Sequence, residues 1–506
     1  MIALDHLVIA PVVIPALTAP VALLVMRRHR HVGVAVSLAG CVAMLAAALA
    51  LFGIVQDDAI RAYPLGGWPA PFGIVLVLDR LTAIMLVLAA ALSLIVMIHA
   101  VVTAVDRKGW HFHPLFHFQL LGLNGAFLTG DLFNLFVFFE VLLIASYGLM
   151  LHGQGGARLK AGVGYVIVNI VGSAIFLIAL GLLYGLTGTL NMADLARRVA
   201  LLGAADQGLI RIAGLLLLTV FALKAAVVPL HLWLPRTYAA TTPAVAALFA
   251  IMTKVGVYAM IRTVPLIFGS NAGAAAWVPD PWLMPAAILT AIIGFAGVLA
   301  SRGMREQAAF ALLGSTGTLL LAVSCWTQAT TSAAIFYLVH ATLAGAALFL
   351  VADVTSRRRG QYGDAVVASP RFAGQQAAGL LFLASAIAAV GLPPLSGFVA
   401  KLFLLQSMVG TPSGWVLWAT VLGTTLIGVI GFARSGSALF WKDAPDGDPI
   451  ACPDRSRSEF AAPVLLLALL AMLTLGAGWA TAQTQAAAGQ LFAPQRYMAA
   501  VLGEER

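Results

Sequence analysis

Long apolar stretches of about 20 residues, separated by short polar loops, run through the whole of this 506-residue chain. Hydrophobic residues make up 61% of it, charged residues make up only 10%, and the mean hydropathy is +0.98. A bilayer core about 30 Å thick takes roughly 20 apolar residues per helix. We therefore predict an all-α integral membrane protein with about 14 transmembrane helices. The approximate spans are 3–25, 32–55, 77–103, 114–130, 132–151, 160–186, 209–229, 243–268, 282–301, 305–326, 330–352, 374–405, 415–440 and 460–480.

The basic residues concentrate in alternate loops of this predicted topology. Loops after odd-numbered spans carry more than twice as many Lys and Arg residues as the loops after even-numbered spans and the carboxyl tail together. Because basic residues accumulate on the cytoplasmic side of a membrane, both termini are expected to face outward. This distribution accounts for the formal charge of +9, so we expect a lipid bilayer and no nucleic acid as partner.

The sequence carries no signature of redox or nucleotide chemistry. The three cysteines, Cys41, Cys325 and Cys452, are isolated, which argues against paired metal ligands, an iron–sulfur cluster or a disulfide framework. The segment HFHPLFH at 111–117 has a spacing like that of metal ligands but contains no acidic or cysteine residue, so we predict interfacial histidines there and no metal site. No P-loop and no dinucleotide glycine fingerprint is present. We expect no cofactor, and we expect energy to come from an ion gradient or a partner.

Four ionisable residues lie inside predicted spans with apolar residues on both sides: Glu140, Lys224, Lys254 and Lys401. A charge at mid-bilayer costs roughly 2.5–3.5 kcal/mol on insertion scales, so such residues are candidates for function. The alternative is a set of structural ion pairs between helices, but one carboxylate cannot pair with three lysines at once. Lysine titrates when buried whereas arginine stays charged, so three interior lysines and no mid-span arginine favour proton handling.

Two histidines and one aspartate within or beside the spans are weaker candidates. His340 is deep within span 11 and has a side chain suited to carrying a proton, but a neutral histidine can equally hydrogen-bond a neighbouring helix. His231, beside Pro229, is a secondary candidate on the same reasoning. Asp131 stands at a helix junction, where we predict an N-cap role.

Proline interruptions accompany two of the interior lysines. Pro229 follows Lys224 by five residues in span 7, and Pro394 precedes Lys401 by seven residues in span 12. An interrupted helix is tolerated at membrane depth only where protein or a water-filled cavity satisfies the freed carbonyl groups. We predict that helices 7 and 12 are discontinuous and line hydrated pathways, with an ordinary proline kink as the alternative.

The two interruptions lie five spans apart, which is a sequence sign of an inverted repeat. We predict two inverted five-helix repeats, with helices 4–8 in residues 111–270 and helices 9–13 in residues 280–440. Residues 1–110 would form helices 1–3. Residues 441–506 would form a cytoplasmic loop, helix 14 and an outward-facing tail.

Two segments around these residues resemble a known family. VVPLHLWLPRTYAATTPAVAALFAIMTKVGVYA, residues 227–259, resembles the signature of the proton-translocating antiporter-like subunits shared by respiratory complex I and Mrp-type antiporters. LLGLNGAFLTGDLFNLFVFFEVLLIASYGLMLHG, residues 120–153, is similar to the D-type subunits of multisubunit Mrp/Pha monovalent cation/proton antiporters. The resemblance covers essentially the whole chain.

The resemblance implies 14 helices, two inverted five-helix repeats and a hydrophilic axis along the membrane midplane. By motif position it implies a proton relay of Glu140 on helix 5, Lys224 on helix 7, Lys254 on helix 8, His340 on helix 11 and Lys401 on helix 12. The first half would thereby contain a switchable ion pair between Glu140 and Lys224.

One position departs from the family pattern. The complex I branch usually has a histidine near residue 315, where this chain offers only the hydroxyl groups of Ser315 and Thr316. A proton relay at this point would need these hydroxyl groups or water, which can bridge polar groups.

Three functional hypotheses follow. The leading one is a secondary active transporter component, not an enzyme, of a bacterial cytoplasmic (inner) membrane complex that exchanges Na+ or K+ for protons alongside other membrane subunits. The first alternative is a proton-pumping subunit of a complex I-like NADH-quinone oxidoreductase or membrane hydrogenase. The second is a scaffold without transport activity, in which the charges only specify helix contacts.

Overall fold

The computed structural model describes residues 6–442 and 457–503, and it is nearly all helical. The first half contains α1 (Ala10–Met26), α2 (Arg30–Ile54), α3 (Arg80–Val102), α4 (Phe112–Leu128), α5 (Leu132–Met150), α6 (Gly156–Thr187), α7 (Met192–Val199), α8 (Gln207–Lys224), α9 (Trp233–Ala240), α10 (Pro243–Phe249) and α11 (Met252–Ile267). The second half contains α12 (Asp280–Ala300), α13 (Met304–Val323), α14 (Gln328–Arg358), α15 (Gln375–Val390), α16 (Ser396–Ser407), α17 (Gly414–Gly436), α18 (Ala461–Leu475), α19 (Ala477–Leu491) and α20 (Pro494–Leu502).

The helices identify a multi-pass membrane protein. Within the described ranges, 12 helical segments are long and apolar enough to cross a bilayer. They match every predicted span except the fourth and the twelfth. The fourth corresponds to α4, which has 17 residues, and the twelfth is divided between α15 and α16. The number of 14 crossings stays a prediction, and Cys452 with most of the predicted cytoplasmic loop lies outside the described residues.

One small β-sheet departs from the all-helical prediction. Strands β1 (Arg61–Pro64) and β2 (Val75–Leu78) pair antiparallel. The helix of span 3 begins at Arg80, close to the approximate start at residue 77, because β2 and Asp79 precede it. Asp79 accepts a hydrogen bond from the backbone N–H of Thr82 at 2.9 Å and so caps α3.

The predicted discontinuities of spans 7 and 12 are confirmed. In span 7 the helix ends at Lys224, and Pro229 lies in the irregular segment before α9. In span 12 the break holds Pro393 and Pro394 and separates α15 from α16. A further interruption that was not predicted separates α10 from α11 at Ala250 and Ile251. The inverted relation of the two five-helix groups stays a prediction.

The helices at the centre of the molecule carry four candidate residues, Lys254, Ser315, Thr316 and His340. In the most apolar 18-residue window of each span, 100% of the residues are buried in α10–α11, 94% in α14 and 89% in α13, against 28% in α1. α13 also approaches α12 very closely, because a Cβ on Gly294 would meet the backbone nitrogen of Gly314 at 2.2 Å. Such backbone contact needs small residues and holds α13 firmly in place.

Candidate ion-translocation site

Glu140 lies on α5, whose start is fixed by a local cap. Asp131 accepts a hydrogen bond from the backbone N–H of Asn134 at 2.8 Å, which confirms the predicted N-cap. Further along the same helix, Glu140 is half-buried, and the hydroxyl group of Ser173 on α6 donates a hydrogen bond to its Oε1. The carboxylate thus has a neutral partner on the neighbouring helix.

Lys224 is the last residue of α8, immediately before the proline break. Its Nζ donates a hydrogen bond to Oδ1 of Asn169 on α6 at 3.1 Å. In the described part of the chain, no ion pair within 4.0 Å joins this ammonium group to Glu140. The predicted switchable pair between the two residues therefore stays a prediction. The indole N–H of Trp233 donates to the carbonyl of Leu223 at 3.2 Å and satisfies one acceptor that the break leaves free.

Lys254 joins α11 to α13 and is completely buried. Its Nζ donates hydrogen bonds to Ser315 Oγ at 3.2 Å and to Thr316 Oγ1 at 2.9 Å. These are the two hydroxyl groups that stand where the complex I branch usually has a histidine. The structure therefore places them against the lysine, as a hydroxyl bridge requires.

His340 on α14 contacts both helices that flank the second proline break. Its Nε2 lies 3.1 Å from the carbonyl oxygen of Ala388 on α15, and its Nδ1 lies 3.0 Å from Ser396 Oγ on α16. A carbonyl oxygen only accepts, so Nε2 carries a proton and, in the neutral ring, Nδ1 accepts from Ser396. The hydroxyl group and the imidazole therefore form a continuous hydrogen-bonded pair.

Lys401 lies beside the same break, on the first turns of α16. Its Nζ donates to the carbonyl of Val390 at 2.8 Å and to Thr425 Oγ1 on α17 at 2.5 Å, and it lies 5.4 Å from the ring centroid of Phe295. Val390 is the last residue of α15, where a helix leaves its carbonyl groups without intrahelical partners. The interruption thus supplies an acceptor for a buried cation.

A small cavity adjoins Lys224 on the side of α11. It measures about 20 Å³ and is lined by Asn169 and Lys224 together with Met252 and Val255 of α11. Roughly 10–15 Å³ on this measure holds one water molecule. Met252 and Val255 lie one turn apart on one face of α11, so the cavity lies between Lys224 and that face of the helix.

A second cavity occupies the gap between α13 and α14. It measures about 10 Å³, and Ser315, Tyr337 and His340 are among the residues that line it. This is about the minimum for one water molecule. Ser315 on α13 and His340 on α14 therefore face the same small space.

His231, the secondary candidate, lies in the irregular segment between α8 and α9. It is partly exposed, and among the described residues its Nδ1 has no hydrogen-bond partner. The structure therefore does not bring His231 into the series of contacts formed by the other candidates. Its functional role stays a prediction.

Arg262 lies within α11, five residues before the end of that helix, and its apolar surroundings did not mark it as part of a buried ion pair. It stands eight residues after Lys254 on α11, is 4% exposed, and binds both carboxylate oxygens of Asp79 at 2.5 and 2.9 Å. A buried charge is tolerated when it is paired and hydrogen-bonded. Because the partner is 183 residues away in the sequence, the apolar pattern around Arg262 did not reveal it.

The prediction that the histidines of residues 111–117 are interfacial was wrong for two of the three. His111 is exposed, as predicted, but His113 and His117 are buried. His113 Nε2 lies 3.3 Å from Asp106, which also accepts from Arg30 at 2.6 Å. The buried histidines are thus partnered inside the protein, since His117 Nε2 likewise lies 2.9 Å from the hydroxyl group of Ser37 on α2.

A buried carboxylate at the far end of α14 was missed. Asp353 Oδ2 lies 2.9 Å from His99 Nε2 on α3. The predicted span ended at residue 352, whereas α14 continues to Arg358. Asn169, Ser173, Ser396 and Thr425 were missed as well, because small polar residues are common in membrane helices and their partners depend on tertiary packing.

Known proteins share both the sequence and the fold of this chain. Residues 129–428 match the family described as NADH:quinone oxidoreductase/Mrp antiporter, transmembrane. A protein from Rhizobium meliloti, named as the probable D component of a K(+)/H(+) antiporter, is 39% identical over 99% of this chain and 98% of its own length. The D component of the Na(+)/H(+) antiporter of Alkalihalophilus pseudofirmus is 33% identical over 99% of this chain and 100% of its own.

A solved structure agrees with this assignment. A chain in the structure of the Mrp complex from Dietzia sp. DQ12-45-1b has 30% sequence identity and a TM-score of 0.87, with 99% of this chain and 100% of that chain covered. The chain therefore belongs to the NADH:quinone oxidoreductase/Mrp antiporter transmembrane family, among the D-type antiporter subunits.

Proposed function

We propose that the chain is the proton-translocating subunit of a multisubunit monovalent cation/proton antiporter in a bacterial cytoplasmic membrane. Relatives that match this chain over nearly their whole length are named as K(+)/H(+) and Na(+)/H(+) antiporter subunits. These names favour antiport over the complex I-like alternative. Because the relatives differ in the cation they are named for, this proposal leaves open whether Na+ or K+ is exchanged. Other membrane subunits complete the complex.

The observation that carries the proposal is the arrangement of the polar groups across the buried helices. Lys224, Lys254 and His340 each form hydrogen bonds to neutral side chains or carbonyl groups. One water-sized cavity adjoins Lys224 and α11, and a second adjoins both Ser315, which accepts from Lys254, and His340. Charged residues are expensive within a bilayer and occur where an ion or proton path requires them. A purely structural role does not need small cavities beside Lys224 and His340.

The proposed path begins at Glu140 and Lys224 in the first half of the chain. A proton leaving Lys224 would enter the first cavity through one water molecule and pass on toward Lys254 on α11. Lysine can carry this proton because its side chain exists in both the charged and the neutral form when buried, which arginine does not do. The proline break after Lys224 leaves backbone groups that a hydrated entry would satisfy.

The second half of the path runs from Lys254 to Lys401. Ser315 and Thr316 both donate and accept hydrogen bonds, so they would pass the proton into the second cavity and on to His340. Ser396 and the second proline break then connect His340 with the start of α16, where Lys401 lies. The same elements serve in either direction, and the gradients of the two ions set the net direction.

Cation-dependent proton flux in inverted vesicles tests this proposal. The complete set of antiporter subunits is expressed in cells that lack their own antiporters, and the change in internal pH after addition of NaCl or KCl is recorded. We expect flux from the wild-type complex and none from Lys224→Met at equal assembly. Lys442→Met, an exposed lysine outside the path, is the matched control and should keep its flux. Normal flux from Lys224→Met would overturn the proposal.

A further inference from the structure

Helix α6 stands between the two charged groups of the first half. Ser173 donates a hydrogen bond to Glu140, and Asn169 accepts one from Lys224 at 3.1 Å. Residues four positions apart lie one turn apart on the same face of a helix. The carboxylate and the ammonium group therefore each bind a neutral side chain of α6 instead of each other.

The side-chain amide of Asn169 is fixed in the orientation that receives Lys224. Its Nδ2 donates to the backbone carbonyl of Tyr165 at 2.8 Å, and because a carbonyl cannot donate, the other amide atom facing Lys224 is the acceptor oxygen. Asn169 is 1% exposed, and the Tyr165 hydroxyl is held by Ser146 at 2.8 Å. The acceptor oxygen of Asn169 is therefore held in place by a contact that does not involve Lys224.

Ser173 has one hydroxyl proton and two acceptors within reach. Besides Glu140, the backbone carbonyl oxygen of Asn169 lies 3.1 Å from its Oγ. An ionised carboxylate is the stronger acceptor, so the hydroxyl group donates its hydrogen bond to Glu140. A protonated Glu140 can itself donate to Ser173, which leaves the serine free to donate to the carbonyl of Asn169.

We propose that Asn169 and Ser173 are positioning residues that transmit the protonation state of Glu140 to Lys224. This inference rests on the proposed function. Asn169 holds the ammonium group while it is separated from the carboxylate, and Ser173 turns between Glu140 and the backbone of Asn169 as the carboxylate gains or loses its proton. Helix α6 therefore takes part in the coupling between Glu140 and Lys224 through these two side chains.

The titratable groups around this pair are few. Among the described residues they include Glu140 and Tyr147 on α5, Tyr165 on α6, Lys224 on α8 and Tyr238 on α9; Lys254 lies on α11, which packs against α8. The rings of Tyr147 and Tyr165 pack 5.5 Å apart. Tyrosine ordinarily titrates near pH 10, so a change in the flux profile near neutral pH reports on the carboxylate and the lysines.

Two substitutions at Asn169 test the acceptor in the vesicle assay. Asn169→Leu removes the oxygen, and Asn169→Asp keeps the shape but adds a charge that holds the ammonium group. A hydrogen bond to a charged group corresponds to at least about a tenfold change, so we expect flux at equal assembly to fall by at least about tenfold in both. If Asn169→Leu fails to assemble, the flux of the Asn169→Asp complex alone tests the inference. Normal flux from Asn169→Asp would show that only its shape matters and would overturn the inference.

Substitutions at Ser173 test the coupling through the pH profile. Ser173→Ala removes a donor that stabilises the ionised carboxylate, so the pH of half-maximal flux should move by about one unit toward alkaline values. Ser173→Thr keeps the hydroxyl group and should restore the wild-type profile. Ser93→Ala removes a buried hydroxyl that binds only its own helix at 2.9 Å and should leave the profile unchanged. An unshifted profile in Ser173→Ala would refute the role of this serine.

The Lys224→Met variant separates failure of this inference from failure of the proposed function. If Lys224→Met has no flux while both Asn169→Asp and Ser173→Ala behave as wild type, the chain translocates protons without help from these positioning residues. If Lys224→Met keeps its flux, the proposed function itself is wrong. Each combination therefore leads to a different conclusion.

Discussion

Lys254 donates a hydrogen bond of 2.9 Å to the hydroxyl group of Thr316 and thereby joins α11 to α13. These helices belong to the two predicted repeats, so this contact connects the two halves of the chain. Both residues are completely buried. Any proton that passes from the first half to the second along the proposed path uses this connection.

Removing the hydroxyl groups on α13 should interrupt that connection. We expect Thr316→Val and Ser315→Ala each to lower flux in the vesicle assay, and the double variant to abolish it, because Lys254 then has no partner on α13. Thr316→Ser keeps the hydroxyl group and should retain most of the flux. Ser324→Ala, whose hydroxyl binds only the carbonyl of Leu321 on its own helix, is the control. Normal flux from the double variant would mean that protons cross between the halves elsewhere.

His340 can be tested separately for proton transfer and for structural support. His340→Gln retains a donor and an acceptor that can satisfy Ala388 and Ser396, but it cannot titrate. We expect assembly to be unchanged and flux to be lost, because the side chain no longer binds and releases a proton. Flux comparable to wild type, measured in vesicles with equal amounts of complex, would assign His340 to helix packing alone.

The buried pair of Arg262 and Asp79 should matter for stability. Removing one partner of a buried pair leaves an uncompensated charge and costs about 3–5 kcal/mol, so Asp79→Asn should markedly lower the melting temperature of the purified complex. Asp57→Asn breaks the exposed pair with Arg61 and should cost less than about 1 kcal/mol. Equal melting temperatures for the two variants would contradict the structural importance assigned to Arg262.

Asp364 should give the complex a pH-dependent contribution to stability. Burial raises the pKa of this carboxyl group, but the two hydrogen bonds from Arg305, both 3.0 Å, outweigh burial and hold the pKa below its ordinary value. A carboxyl group with a lowered pKa in the folded state stabilises above its unfolded pKa of about 3.9, and this stabilisation is lost as the pH falls further. Melting temperatures measured from about pH 6 to pH 3 should therefore fall less steeply in Asp364→Asn than in the wild-type complex. Parallel curves would show that the pair does not stabilise the fold.

The sequence predicted the features that depend on local pattern. Apolar length predicted most of the spans, proline predicted the breaks beside Lys224 and Lys401, and the isolated charges identified the lysines that the structure buries. The Asp131 cap was predicted from its position before an apolar run. These signals are strong because a bilayer imposes the same requirement on each helix independently.

Features that depend on distant partners were not predicted. The pairing of Arg262 with Asp79 and the contact of His99 with Asp353 join helices far apart in the sequence. Asn169 looked like any small polar residue in an apolar helix, and only the packing of α6 against α8 brings it to Lys224. The role of such residues depends on which side chain they contact in the folded protein, and no local sequence pattern predicts that contact.

Substitution of Glu140 is the most direct test of the central claim, that protons pass through the interior of this chain. Glu140→Gln preserves the size of the side chain and its capacity to accept from Ser173, while it removes the ability to bind and release a proton. Cation-dependent proton flux is measured in inverted vesicles that contain equal amounts of assembled complex. We expect flux to be lost; flux equal to that of the wild-type complex would contradict proton passage through this chain and leave it as a scaffold for its partners.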